Sequence, residues 1–136
     1  MRAPLLCVLV VDDDERVRHA ICDLLRSQSD INVVCEASNG LDAILFAKKH
    51  NPHLVLLDLA MPVINGFDAA RLLKHELPAT QILVVSGSRS QAFMREAFAA
   101  GASGYVTKDK LSSELISEVR RIQSLMGTQS ILAGRV

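Results

Sequence analysis

Residues 5–15 read LLCVLVVDDDE. A short, continuous apolar run rich in Val and Leu marks a strand buried on both faces, and three consecutive aspartates end it. Beyond them Val17, Ile21, Leu24 and Leu25 recur at helical spacing between charged residues, with Asp14 and Glu15 as first-turn charges that suit the helix dipole. A strand, an acidic turn and a helix make one βα unit, and the rest of the chain repeats it.

Residues 31–37 read as the second strand, and 40–50 as a helix with Leu41, Ile44 and Leu45 on one face, stopped by Asn51-Pro52. Residues 54–57 form the third strand, ending at Asp58, and after Met61-Pro62 a helix is predicted from about 66 to 77. The fourth strand, 81–85, ends at Ser86, and a helix over about 90–100 is closed by Gly101. Residues 104–107 give a fifth strand, after which Leu111, Leu115, Ile116, Val119, Ile122 and Met126 mark an amphipathic helix. This alternation predicts an α/β fold, a doubly wound five-stranded parallel sheet with helices on both faces. One domain is expected over 1–126, with 127–136 as a C-terminal tail or the start of a linker.

Composition agrees. A chain of 136 residues that is 49% hydrophobic can bury the core of one domain. Fifteen Lys and Arg balance fifteen Asp and Glu, so nothing draws the molecule to nucleic acid or to an anionic membrane. The apolar stretch 3–11 is far short of a membrane span and lacks the basic region and cleavage site of a signal peptide. Cys7, Cys22 and Cys35 are widely spaced and odd in number, which excludes a closed disulfide framework and fits a reducing cytoplasm. They read as small apolar filler.

In a doubly wound fold, ligands bind beyond the carboxyl ends of the strands. The residues that follow strands here are Asp12 and Asp13, Asp58, Ser86 and Lys108. If strands one, three, four and five are neighbours, three carboxylates, a hydroxyl and an ammonium converge. Three carboxylates at close range repel and would protonate unless a cation neutralised them. Oxygen donors with no His or Cys at ligand spacing favour Mg2+, which readily shares its remaining positions with phosphate oxygens. A carboxylate can be the nucleophile in phosphoryl transfer. Asp58 stands alone at its strand end and is the best candidate, whereas Asp12 and Asp13 can hold the metal. Lys108 would stabilise charge on the phosphoryl oxygens, and Ser86 would donate to the product phosphate.

The segments VLVVDDDE at 8–15, LVLLDLAMPVINGFD at 54–68, ILVVSG at 82–87 and AGASGYVTKD at 100–109 resemble the response-regulator receiver family of two-component signalling. The resemblance covers residues 5–126 and implies a CheY-like fold with strand order 2-1-3-4-5. It implies Asp58 as phosphoacceptor, Asp12, Asp13 and the backbone carbonyl of Ala60 in the Mg2+ site, and Lys108 on the phosphoryl group. Ser86 matches the switch hydroxyl and Tyr105 the switch aromatic. It further implies a sensor histidine kinase or phosphotransfer protein as partner, no enzymatic activity beyond self-catalysed phosphorylation and dephosphorylation, and an output face on the fourth helix, fifth strand and fifth helix. GASGYVTKD looks most like the NarL/FixJ branch, whose members carry a LuxR-type helix-turn-helix, so the output is expected to be transcriptional. The chain is then a stand-alone receiver or part of a longer regulator.

Two departures stand out. Asp109 occupies a position where many receivers have proline, so a cis peptide is not expected there. Ala60 and Ser88 are small where they flank the phosphoryl group, which predicts that water is not excluded sterically and that the phosphoryl lifetime falls short of many hours. Exposed Arg16, Arg18 and His19 on the first helix are expected either to face the kinase or to form a plain solvated helix face.

Other chemistries fit less well. A phosphatase of the haloacid-dehalogenase type needs a second acid where Ala60 stands, and the acidic turn 12–14 would repel a dinucleotide's pyrophosphate. The remaining alternative is a receiver-fold interaction module that works without phosphorylation. A homodimer through the fourth and fifth helices would suit it, with Phe93, Met94 and Phe98 contributing although most of that stripe is expected to be core.

Overall fold

The computed structural model describes residues 5–61 and 63–133, with side chains to Met126. Pro62, the first four residues and 134–136 lie outside the described residues. The elements in order are β1 (Leu6–Val11), α1 (Glu15–Arg26), β2 (Ile31–Ala37), α2 (Gly40–His50), β3 (Leu54–Leu57), α3 (Gly66–Glu76), β4 (Gln81–Ser86), α4 (Gln91–Ala99), β5 (Gly104–Thr107) and α5 (Leu111–Ala133). A 3-10 turn, Lys108–Lys110, joins β5 to α5.

All pairings between neighbouring strands are parallel, in the order β2-β1-β3-β4-β5. Side chains alternate between the two faces of each strand, so the apolar strands feed two cores. Val8, Val10, Leu54, Leu56, Leu83, Val85 and Val106 pack with α1 and α5. Leu9, Val11, Val55, Leu57, Ile82 and Val84 pack with α2, α3 and α4. This is the expected doubly wound sheet, and β1, β3, β4 and β5 are neighbours as the convergence argument required.

Helices α2 and α3 begin with the same device. In Asn39-Gly40-Leu41-Asp42 and Asn65-Gly66-Phe67-Asp68 the asparagine side chain accepts from the backbone N–H of the aspartate, at 2.8 and 3.0 Å, and donates to its carboxylate at 3.1 Å in both cases. Each first turn thereby gains a reciprocal cap and an acid suited to the helix dipole. The glycine between them is required by crowding. A Cβ on Gly40 would lie 2.7 Å from the Ile64 carbonyl oxygen, and one on Gly66 would lie 2.4 Å from both the Asp58 carbonyl oxygen and the Leu59 Cα.

Two expectations need correction. Leu41 and Leu45 do not form the buried face of α2; they are 48% and 53% exposed, and the helix instead buries Gly40, Ala43 and Ala47. Small residues let α2 lie close against the sheet and α3, which leaves the leucines outside. Most of the α4 stripe is not core either: Phe93 and Phe98 are exposed, and only Ala97 of that helix is buried. Helix α5 continues beyond Met126 to Ala133. The Asn51 and Gly101 stops are as read: Asn51 takes a left-handed C-cap before Pro52, and Gly101 has φ 111° just after the α4 C-cap.

Candidate functional site

The parallel register brings the strand ends together at one edge of the sheet. Asp12 follows β1, Asp58 follows β3, Ser86 closes β4 and Lys108 follows β5. Asp12, Asp58 and Ser86 are buried, Asp58 to 2% exposure, whereas Asp13 is exposed at the rim. One carboxylate oxygen from each of Asp12, Asp13 and Asp58 lies within 4.8 Å of the others.

Lys108 reaches into this cluster. Its Nζ lies 3.2 Å from Asp12 Oδ2 and 3.5 Å from Asp58 Oδ1. The remaining ties are short-range: Asp58 Oδ1 accepts from the Ala60 N–H at 3.2 Å, and Asp12 Oδ1 accepts from the Asp14 N–H at 2.8 Å. Asp58 Oδ2 is buried without a hydrogen-bond partner, and Asp12 Oδ2 has the Lys108 ion pair but no well-aligned hydrogen bond. Burial, followed by repulsion from Asp12 and Asp13, pushes the Asp58 carboxyl up to about 6, against the pull of Lys108 and the Ala60 N–H. Burial alone would lower Lys108, but Asp58 and Asp12 outweigh it and hold its pKa above the ordinary lysine value.

Buried carboxylate oxygens without hydrogen-bond partners and an acidic group that resists ionisation make a site that a cation would neutralise. The donor set is all oxygen and partly open to water, so Asp12, Asp13 and Asp58 fit a hard divalent ion such as Mg2+.

The switch candidates are linked through one loop. The Ser86 hydroxyl accepts from the Ser88 N–H at 3.1 Å, Ser88 Oγ accepts from the Ser90 N–H at 3.1 Å, and Ser90 caps α4 by accepting from the Phe93 N–H. Tyr105, half-buried on β5, donates its hydroxyl to the Ser88 carbonyl at 2.8 Å. Tyr105 and Ser86 thus hold the same residue from two sides. Arg89 and Asp109 form an ion pair between this loop and the 3-10 turn, and the Thr107 hydroxyl and then Arg89 hold Asp109 below the usual carboxylate range.

The acidic turn is fixed by α1. Asp14 is the N-cap, accepting from the Arg16 and Val17 N–H groups. Arg18 does not face solvent with Arg16 and His19. Its side chain is 16% exposed, with Nη1 donating to the Asp12 carbonyl oxygen at 2.9 Å and Nε to Glu36 Oε1 at 3.0 Å. It is therefore removed from the expected kinase-facing set, because it is already paired inside the molecule. Arg18 was placed elsewhere by the sequence, Gly66 was marked only as a helix start, and Ser88 was marked only for its small size, not for the hydrogen bonds that tie it to Ser86, Ser90 and Tyr105. The NGFD cap was the one visible signal for Gly66.

Residues 8–120 match the response regulator receiver domain family. The chain belongs to that family. This receiver is 32% identical over 117 residues to the transcriptional regulatory protein LnrK of Bacillus subtilis, covering 86% of this chain and 53% of LnrK. It is 35% identical over 115 residues to the response regulator GacA of Pseudomonas aeruginosa, covering 85% of this chain and 54% of GacA. It spans about half the length of the curated relatives it matches. Among solved structures, the response regulator domain of Thermotoga maritima CheB is similar with TM-score 0.79 and 30% identity, covering 86% of this chain and 95% of that one. A LuxR-family two-component response regulator from Aurantimonas is similar with TM-score 0.80 and 31% identity, covering 91% of this chain and 86% of that one. The receiver is thus a two-component signalling module with relatives of the LuxR/NarL type, as the AGASGYVTKD segment suggested. No described helix is long and apolar enough to cross a membrane.

Proposed function

We propose that this receiver accepts a phosphoryl group on Asp58 from the phosphohistidine of a sensor kinase or a phosphotransfer protein. The observation that carries the proposal is Asp58 itself, a buried carboxylate with one unpartnered oxygen, faced by Lys108 on the other. Attack by Oδ2 on phosphorus forms the acyl-phosphate bond while the donor's N–P bond breaks and its imidazole takes a proton. Lys108, held charged by the two aspartates, stabilises the equatorial phosphoryl oxygens. Asp12, Asp13, Asp58 and the Ala60 carbonyl would hold Mg2+, which when bound neutralises negative charge on the reacting group. The same residues serve hydrolysis, and with small Ala60 and Ser88 at the rim the phosphoryl lifetime falls short of many hours.

Phosphorylation offers the Ser86 hydroxyl an acceptor to donate to, and turning the side chain towards the phosphoryl group draws Oγ away from the Ser88 N–H that now donates to it. Releasing that bond frees the Ser86–Ser90 loop and with it the Tyr105 hydroxyl, so α4, β5 and the start of α5 present a changed face to an output domain or partner. The setting is cytoplasmic and the output transcriptional, with no nucleic acid bound directly by this chain. Amide NMR with a small-molecule phosphodonor and Mg2+ tests this: shifts at Ser86, Ser88 and Tyr105, absent in Asp58→Asn, are expected, and an unchanged spectrum would refute the switch.

A second reading draws on α4, where exposed Phe93 and Phe98 flank half-buried Met94. On this reading the face makes a homodimer whether or not Asp58 is phosphorylated. Size-exclusion chromatography before and after phosphorylation separates the two.

A further inference from the structure

We infer that Arg18 is a positioning residue for the metal site, acting through the backbone of Asp12. This inference rests on the Mg2+ site proposed above.

The Asp12 backbone is clamped at both ends. Its N–H donates to the Ala37 carbonyl at 3.1 Å, which ties it to β2, and its carbonyl accepts from Arg18 Nη1 at 2.9 Å. The second clamp matters for Asp13. The Asp12 carbonyl and the Asp13 N–H share one planar peptide unit, so fixing the oxygen fixes the rotation of that plane and the direction in which the Asp13 side chain leaves it. The Asp13 carboxylate is exposed and makes no hydrogen bond or ion pair of its own among the described residues. Its place beside Asp12 and Asp58 is therefore set by the backbone, and that backbone is held by Arg18.

Arg18 is itself held. Nε donates to Glu36 Oε1 at 3.0 Å, while Glu36 Oε2 lies 3.9 Å from Arg26 and the carboxylate is also within reach of the Cys22 thiol. The planar guanidinium presents two donors in fixed relation, one to a carbonyl and one to a carboxylate. Both bonds are partly buried, which limits their competition with water. The route from Glu36 through Arg18 to the Asp12 carbonyl thus braces the acidic turn against β2 and α1. Supports one shell beyond a metal's ligands typically change affinity by about 10- to 100-fold when removed.

Isothermal titration of Mg2+ into wild type, Arg18→Met and Arg18→Lys tests this, with phosphodonor labelling followed against Mg2+ concentration. Arg18→Met is expected to raise the Mg2+ Kd about tenfold. The labelling rate should need proportionately more Mg2+ and approach the wild-type plateau at saturation, because Asp58 and Lys108 remain in place. Arg18→Lys, which keeps the charge and loses the fork, should fall between. A Kd for Arg18→Met within twofold of wild type would overturn the inference. Glu36→Gln, which keeps Arg18 and weakens its anchor, serves if Arg18→Met fails to fold; it should raise the Kd by less than Arg18→Met, and an unchanged value overturns the inference equally. Absence of Mg2+ binding by the wild type would instead overturn the proposed metal site, and this inference with it.

Discussion

Gly66 stands so close to Asp58 that a single added methyl group would meet the Asp58 carbonyl oxygen at 2.4 Å. The first turn of α3 is docked on the backbone of the strand end that carries the candidate phosphoacceptor, and the Gly66 N–H donates to the Leu59 carbonyl at 2.9 Å. Because the obstructing atoms are main-chain, they have no rotamer to escape into. Gly66→Ala is expected to cost about 1–3 kcal/mol in urea unfolding, and to perturb the Asp58 amide in NMR. A stable variant with an unshifted Asp58 would show that the contact is not enforced.

Asp58 is expected to make the metal-free protein less stable at neutral pH. A carboxyl raised from 3.8 to about 6 binds its proton more tightly in the folded state than in the unfolded one. The penalty is therefore complete above about pH 6 and disappears as pH falls through the unfolded value of 3.8. Asp58→Asn should stabilise the protein in EDTA at pH 8 by of the order of 2–3 kcal/mol. The advantage should close as pH is lowered to 4. Urea melts at several pH values check the sign, and an advantage that grows towards acid would reverse it.

Mg2+ should stabilise the fold for the same reason. A ligand at a hundredfold excess over its Kd contributes about 2.7 kcal/mol, which for a domain of this length is roughly 10 °C in Tm. Asp13→Asn and Asp58→Asn should each lose most of that increment. Thermal melts with and without Mg2+ measure it, and equal increments in all three proteins would place the ion elsewhere.

Removing the Tyr105 hydroxyl deletes its bond to the Ser88 carbonyl while leaving the ring in its apolar surroundings. Tyr105→Phe should cost about 0.5–1.5 kcal/mol and speed amide exchange in the Ser86–Ser90 loop. Unchanged exchange would mean that the loop is held without Tyr105.

Much of this architecture was legible because each strand is a short apolar run that ends on a polar residue. In a parallel sheet that pattern alone puts Asp12, Asp58, Ser86 and Lys108 at one edge. The buried face of α2 was misread because Leu41 and Leu45 share a helical stripe, and apolar periodicity does not say which side meets the sheet. Gly40, Ala43 and Ala47 decide it, through a crowding that involves Ile64 of another segment. Arg18 was misassigned for a related reason. Its partner Glu36 is 18 positions away on β2, and the carbonyl it grips belongs to the backbone, which leaves no trace in residue types.

Intact-mass analysis after incubation with a small-molecule phosphodonor, on wild type and Asp58→Asn with Mg2+ or EDTA, bears most directly on Asp58 as phosphoacceptor. The expected result is a gain of one phosphoryl group by the wild type in Mg2+ alone. Equal labelling of Asp58→Asn, or no labelling of any sample while a control receiver is labelled, would contradict it.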